Sequence, residues 1–342
     1  MFDISFAALP LWFWAATAFL MAACVGSFLN VVVARVPRDE SIVWPGSHCF
    51  TCGAPIAARH NLPILSWFLL RGRCHDCKAP FSIRYALVEL AFAALCCLAV
   101  VRHGGPTHAA FEECALLALL IPLACIDLDT WTLPHSLTIP GIAIGLAFAL
   151  PLGQDILLNR LLAAGIGYAV LFVGGLIGER VLGKEAMGGG DFFLFALIGA
   201  FLGTRALLPV IFLASLQGSV VGIAQIAQKR LTNRSATEDG EGADSEEAGD
   251  SRESATENSE GNAPEHSAEK TTEKAAETEQ SAAANASLSP ADDNPLRINA
   301  RIPDDGWEPD PHAIPFGPFL ALGAAEVLYF SHLPDILFPW IP

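Results

Sequence analysis

The chain has 342 residues, of which 52% are hydrophobic and 16% charged, with a mean hydropathy of +0.43; an ordinary soluble protein has roughly 25% charged residues. Its formal charge of −16 is concentrated, because residues 231–310 carry 21 Asp and Glu against 6 Lys and Arg while the rest is nearly neutral. This balance argues against a secreted disulfide protein, a nucleic-acid binder and a simple cytosolic enzyme, and no nucleic-acid partner is expected.

Eight apolar runs follow one another, at 4–34, 85–101, 109–126, 137–152, 161–178, 192–203, 206–227 and 314–330. A membrane-spanning helix takes about 20 apolar residues, so some runs are comfortable spans and others are short. The first run carries Asp3 and no Lys or Arg at its front, unlike a secretory signal. With the N-terminus outside, twelve Lys and Arg (Arg35, Arg38, Arg59, Arg71, Arg73, Lys78, Arg84, Arg180, Lys184, Lys229, Arg230, Arg234) fall in inner connections, and three (Arg102, Arg160, Arg205) in outer ones. That asymmetry sets both termini outside, as eight crossings require. The expected fold is an all-α polytopic membrane protein of about eight transmembrane helices in a lipid bilayer. Its divisions are a first transmembrane helix within 1–37, a cytoplasmic loop at 38–84, a transmembrane core at 85–230, an acidic insert at 231–310 and a last helix with its tail at 311–342. The insert is rich in Ala, Glu, Ser, Thr and Asn and nearly free of large apolar residues before Leu288, so it is expected to be disordered.

The 38–84 loop contains Cys49-Phe50-Thr51-Cys52 and Cys74-His75-Asp76-Cys77, separated by 21 residues. Two Cys-x-x-Cys knuckles at this distance point to a tetrahedral Zn²⁺ site closed by four thiolates, structural rather than catalytic. The inner, reducing side suits thiolates better than disulfides. His48, His60 and His75 are expected as neighbours, and Cys24, Cys96, Cys97, Cys114 and Cys125 as small packing residues.

Ionisable residues in spanning segments point to function. Run 109–126 ends in Ile126-Asp127-Leu128-Asp129, and run 192–203 follows Met187-Gly188-Gly189-Gly190-Asp191. The latter run is short, and Glu112 and Glu113 shorten the former, so Asp127 and Asp191 are expected below the inner surface, facing each other. Two such carboxyl groups form an acid–base pair in which one activates water and the other polarises a carbonyl. The glycine run leaves backbone without side-chain bulk, room for a substrate strand. The residues alone leave two readings open: an aspartyl protease, or a transporter or proton-relay protein with a zinc-stabilised docking loop. The chain has no His-Glu-x-x-His helix and no serine-nucleophile motif.

Five ordered motifs resemble the type 4 prepilin leader peptidases, polytopic aspartyl proteases of the GxGD type. They are Gly26-Ser27-Phe28-Leu29-Asn30-Val31-Val32 with Arg35 and Pro37; the two cysteine knuckles; Arg84-Tyr85 with Val88-Glu89-Leu90; Ile126-Asp127 through Leu133-Pro134 to Leu137-Thr138; and Gly188-Gly189-Gly190-Asp191. The likeness resumes at Ile314-Pro315-Phe316-Gly317-Pro318-Phe319 and omits only the insert. The resemblance implies cleavage of type IV prepilins or pseudopilins after the Gly of a short basic leader, at the cytoplasmic face of a bacterial inner membrane. It also implies N-methylation of the new terminus from S-adenosylmethionine. It assigns catalysis to Asp127 and Asp191, with Asp129 as alternative for the first. Family members with four cysteines are bifunctional, which ties Cys49, Cys52, Cys74 and Cys77 to the methyltransferase. Glu89 is a candidate at the methyl-donor site. The chain departs from the family pattern where Phe193 replaces a Lys two residues after the second Asp, where His135 replaces the Asp of Leu-Pro-Asp, and in the insert itself.

Overall fold

The computed structural model describes residues 9–182, 188–240 and 314–330. Nine α-helices occur among them: α1 (Leu11–Arg35), α2 (Leu65–Leu69), α3 (Arg84–Arg102), α4 (His108–Thr130), α5 (His135–Ala149), α6 (Gln154–Leu182), α7 (Gly189–Leu202), α8 (Thr204–Gly240) and α9 (Gly317–Tyr329). Each of the eight apolar runs corresponds to a helix. Six segments (Leu11–Arg38, Arg84–Arg102, His108–Thr130, His135–Leu152, Gln154–Val181 and Thr204–Gln228) are long and apolar enough to cross a membrane. The chain is thus a multi-pass membrane protein. The other two apolar helices are short: α7 has 14 residues and α9 has 13, or about 21 and 20 Å at 1.5 Å per residue, against a hydrocarbon core of about 30 Å.

The chain divides into a unit spanning Met1–Ala227 and Asn294–Pro342 and a second spanning Gln228–Asp293. Of the acidic insert, residues 231–240 have helical backbone; the disorder expected for its remainder concerns positions outside the described residues.

Helix α4 is the wall shared by two cores. Leu116, Leu120 and Leu123 pack with Leu171, Phe195, Ile198, Val210 and Leu320 from α6, α7, α8 and α9. Leu117, with Cys114 and Ile121, packs instead against Ala22, Leu29, Phe92 and Cys96 of α1 and α3. Contacts between α6 and α7 are close enough to exclude a β-carbon: one on Gly199 would lie 2.6 Å from the carbonyl oxygen of Ala163. Ala163, Ala164, Ala196 and Ala200 complete this small-residue seam, as close helix packing in membranes requires.

The acidic start of α4 explains how its span tolerates two glutamates. Thr107 caps the helix by accepting the N–H of Ala110. Glu113, 2% exposed, pairs with Arg102 at 2.5 Å and with His103 at 2.9 Å, and Glu112 pairs with Arg160. Two of the three outer arginines are therefore consumed by these carboxylates. Residue 113 lies 14 positions before Asp127, about 21 Å along the helix axis, so this cluster belongs to the opposite end from the candidate dyad.

Replacing Gly199 with Val is expected to lower stability by about 1–3 kcal/mol, the usual cost of overpacking, seen as a reduced thermal-unfolding midpoint in detergent.

Candidate active site

Helix α4 continues to Thr130, so Asp127 lies within its last turn rather than beyond its end. Trp131 then takes a left-handed conformation (φ 58°) and returns its N–H to the Asp127 carbonyl at 3.0 Å, ending the helix. The following Leu133 is buried, and Pro134 precedes the first residue of α5. Asp191 is the third residue of α7. Both carboxylates are buried, Asp127 at 5% exposure and Asp191 at 7%.

Leu133 is the hinge of this arrangement. A β-carbon on Gly190 would lie 2.6 Å from Leu133 Cβ, and one on Gly317 would lie 3.3 Å from Leu133 Cδ1. The starts of α7 and α9 thus converge on the turn following α4. The glycine run is less open than its sequence implies. Gly190 owes its missing side chain to Leu133, Gly189 is already helical, and Gly188 alone keeps extended backbone before α7.

Gly317 is a residue of the candidate site that motif reading did not assign. Its backbone N–H donates to Asp127 Oδ2 at 3.0 Å, in a buried contact across 190 positions of sequence. A β-carbon there would stand 2.5 Å from the same oxygen, so only glycine fits. As the first residue of α9, Gly317 also aims a helix N-terminus at the carboxylate. Its signal in the sequence was Phe316-Gly317-Pro318 at the resumption of the family pattern, with Pro in the first turn of a helix.

Asp129 is held differently. It forms a 2.5 Å ion pair with Arg84, whose Nη2 donates to the Cys125 carbonyl. This joins α4 to α3. The two side-chain departures from the family pattern meet each other: the rings of His135 and Phe193 lie 4.6 Å apart, and Phe193 also packs edge-on against Tyr168. An aromatic contact therefore spans α5 and α7 where the family has residues of opposite charge.

The four cysteines come together as expected. The Sγ atoms of Cys49, Cys52, Cys74 and Cys77 all lie within 4.8 Å of one another, a set that can hold a metal ion. Both knuckles are built alike. Cys49 N–H donates to Ala54 and Gly53 N–H to Cys49, just as Cys74 N–H donates to Ala79 and Lys78 N–H to Cys74. Gly53 (φ 70°) and Lys78 (φ 61°) make the two tight returns. Backbone donors tune the thiols. Desolvation raises the Cys49 pKa, but the N–H groups of Cys52 and Thr51 and the neighbouring thiols outweigh it, bringing the value to about 6. At Cys77 the Ala79 N–H favours the thiolate, but desolvation and the hydrogen bonds to Cys52, Cys74 and Cys49 push the value to about 11. His60 and His75 stack at 4.4 Å beside the cluster and are not among its members.

A further buried carboxylate, Glu89, sits where α1 and α3 cross. A β-carbon on Gly26 would lie 2.9 Å from Glu89 Cα, which accounts for that glycine. Glu89 Oε2 accepts the N–H of Ile64 at 2.6 Å, and Asn30 Nδ2 donates to the Tyr85 carbonyl at 3.0 Å. Arg35, also buried, holds the start of the loop through the carbonyls of Ser41 and Gly46.

Residues 20–103 match the bacterial peptidase A24 N-terminal domain, and residues 114–223 match the type IV leader peptidase family. The chain is 39% identical over 239 residues to the prepilin leader peptidase/N-methyltransferase of Aeromonas hydrophila, covering 63% of this chain and 82% of that protein. The chain belongs to the type IV leader peptidase family. The protein of the same name from Myxococcus xanthus is 48% identical over 208 residues, covering 61% of this chain and 62% of its own length. That from Neisseria gonorrhoeae is 39% identical over 236 residues, covering 62% and 82%. No solved structure matches.

Two outcomes test the geometry. Purified chain is expected to carry one metal ion by elemental analysis, falling to near zero in Cys74→Ser and declining as pH falls, because protons compete for the thiolates. The ring contact predicts that Phe193→Lys and His135→Asp each impair thermal stability, while the double variant recovers about 1 kcal/mol of coupling in a double-mutant cycle.

Proposed function

We propose that this chain cleaves the leader from type IV prepilins or pseudopilins through Asp127 and Asp191, and methylates the newly exposed N-terminal amine. The observation that carries the hydrolytic reading is the convergence of two buried carboxylates on one turn from separate helices. In this reading the active site faces the cytoplasm at a bacterial inner membrane. A basic leader stays in the cytoplasm while the following apolar helix of the substrate lies in the bilayer, which brings the scissile bond to the shallow depth of the dyad.

The ionised aspartate takes a proton from a water molecule as its oxygen adds to the scissile carbonyl carbon, while the protonated partner donates to the carbonyl oxygen. The tetrahedral adduct collapses with rupture of the C–N bond, and the departing amine receives a proton from the pair. Gly317 fixes Oδ2 of Asp127, leaving Oδ1 for water or substrate. Within the glycine run only Gly188, the residue before α7, is extended, and the substrate reaches the dyad as a locally unwound segment beside it; an intact substrate helix keeps its carbonyls hydrogen-bonded internally.

The methyl group comes from S-adenosylmethionine, which supplies an electrophilic carbon on a sulfonium leaving group. The 38–84 loop serves this second reaction, with Zn²⁺ held by Cys49, Cys52, Cys74 and Cys77 as a structural clasp; the helices of 85–230 and the last helix serve hydrolysis.

Membranes containing Asp127→Asn or Asp191→Asn are expected to lose prepilin cleavage by at least about 1,000-fold while retaining full-length protein. A cleavage rate near that of the unaltered chain in either variant refutes the dyad and favours a transport role.

A further inference from the structure

The short helix α2 leaves most of its apolar surface uncovered. Leu65 is 58% exposed, Phe68 61% and Leu69 69%, and at spacings of three and four residues they share one face. Three large apolar side chains on one face of a five-residue helix make a patch that water solvates poorly. Two observations say what lies against it.

The first is depth. The N–H of Ile64, the residue before α2, donates to Glu89 Oε2 at 2.6 Å. Glu89 is the sixth residue of α3, about 7.5 Å along the axis from Arg84, and lies inside the apolar segment Arg84–Arg102 that can cross a membrane. The Ile64 side chain packs with Leu29, Phe92 and Ala93 of α1 and α3, which also lie within segments of that kind. Helix α2 therefore begins beside spanning helices rather than beyond their ends. Its uncovered face starts at the level of the exposed Leu87 and Leu90 of α3, side chains that a spanning helix turns to lipid.

The second is charge. Trp67 donates its indole N–H to the Phe81 carbonyl at 3.4 Å. Arg71 (φ 53°) and Gly72 (φ 65°) then reverse the chain, and the Gly72 N–H returns to the Trp67 carbonyl at 2.9 Å. A β-carbon on Gly72 would lie 3.1 Å from the Trp67 indole nitrogen, so the reversal is packed as well as bonded. It gathers Arg71, Arg73 and Lys78, all exposed, around Leu69 in a cleft of about 430 Å³ whose lining holds no carboxylate. Guanidinium groups match phosphate oxygens through parallel N–H donors. Apolar side chains bordered by cations fit the boundary between acyl chains and headgroups; a basic peptide segment is repelled by the same charges.

We propose that α2 is an interfacial anchor: Leu65, Phe68 and Leu69 lie among the acyl chains of the adjoining leaflet, and Arg71, Arg73 and Lys78 hold its phospholipid phosphates. The occupant of the patch is the bilayer. The anchor also sets the height of the cysteine cluster, because Cys74 follows Arg73 directly and lines the same cleft. It stands apart from both the hydrolytic and the methyl-transfer reading, since it needs neither reaction.

The test uses the full chain in nanodiscs of phosphatidylethanolamine and phosphatidylglycerol. With a photoreactive benzophenone side chain in place of Phe68, illumination is expected to give, as the main product in mass spectrometry, the chain carrying a single phospholipid. A covalent dimer as the main product assigns the patch to a second copy, and the absence of any adduct assigns it to water; either result overturns the anchor. Headgroup contact is read by solid-state NMR as dipolar coupling between arginine side-chain nitrogen and phosphorus, with lipid the sole source of phosphorus in the sample. Arg71→Gln/Arg73→Gln is expected to remove part of that coupling, and an unchanged coupling overturns the proposal. Metal content equal to that of the unaltered chain certifies a folded loop, and should the double variant fail that check, Arg71→Gln alone decides.

Discussion

A carboxylate in an apolar slab persists only where the protein supplies what water no longer does. At Asp127 that supply, among the described residues, is the backbone N–H of Gly317, the first residue of α9. Most of the site's design follows from it. Gly317 cannot carry a β-carbon, α9 must start at the depth where α4 ends, and Leu133 must fill the corner among the starts of α7 and α9 and the turn after α4. Two short helices satisfy this because their ends need not reach the membrane surface. Their shortness, which looks like a defect in a spanning segment, is what brings polar termini into the apolar layer.

The remainder of the molecule organises around α4. Its two faces join two cores, one with α1 and α3 and one with α6 to α9, and its ends have different chemistry. At the start, Glu112 and Glu113 are neutralised by arginines from neighbouring helices. At the end, Asp129 is paired with Arg84 whereas Asp127 meets only a neutral backbone donor among its described hydrogen bonds. Of four acids on one helix, three are tied to basic groups and Asp127, among the described residues, is not. The division into α1–α3 with the loop and α4–α9 follows the two family domains that match 20–103 and 114–223.

Much of this was legible in the sequence for identifiable reasons. Long apolar runs report helices directly, since a lipid-exposed backbone has to bond within itself. Four cysteines in two short knuckles report their own cluster, because each knuckle is a local turn. The approach of Asp127 and Asp191 was expected from one short run that Asp191 precedes and another, shortened by Glu112 and Glu113, that Asp127 follows. Contacts made by backbone rather than side chain were not legible. Gly317 is one of 29 glycines, and nothing local marks its N–H as the partner of a residue 190 positions earlier. The left-handed backbone of Ile64 (φ 64°), whose N–H reaches Glu89, was equally hidden, since β-branched residues give no signal for positive φ. The end of α4 was placed too early because polarity, which stops an apolar run, does not stop a helix: Asp127 and Asp129 continue it with their side chains satisfied elsewhere. The pairing of His135 with Phe193 shows that two separate departures from a family pattern can be one event in space.

The order in which these pieces leave the ribosome gives α9 a particular meaning. Asp127 and Asp191 emerge long before residue 317, with the whole acidic insert translated between the second aspartate and the helix that holds the first. A nascent chain that has already threaded α1 to α7 into the bilayer thus carries both acids without the N–H that orients Asp127. In the proposed reading, hydrolytic competence arrives with α9, so a copy cut short before it is a scaffold and not a stray protease loose in the membrane.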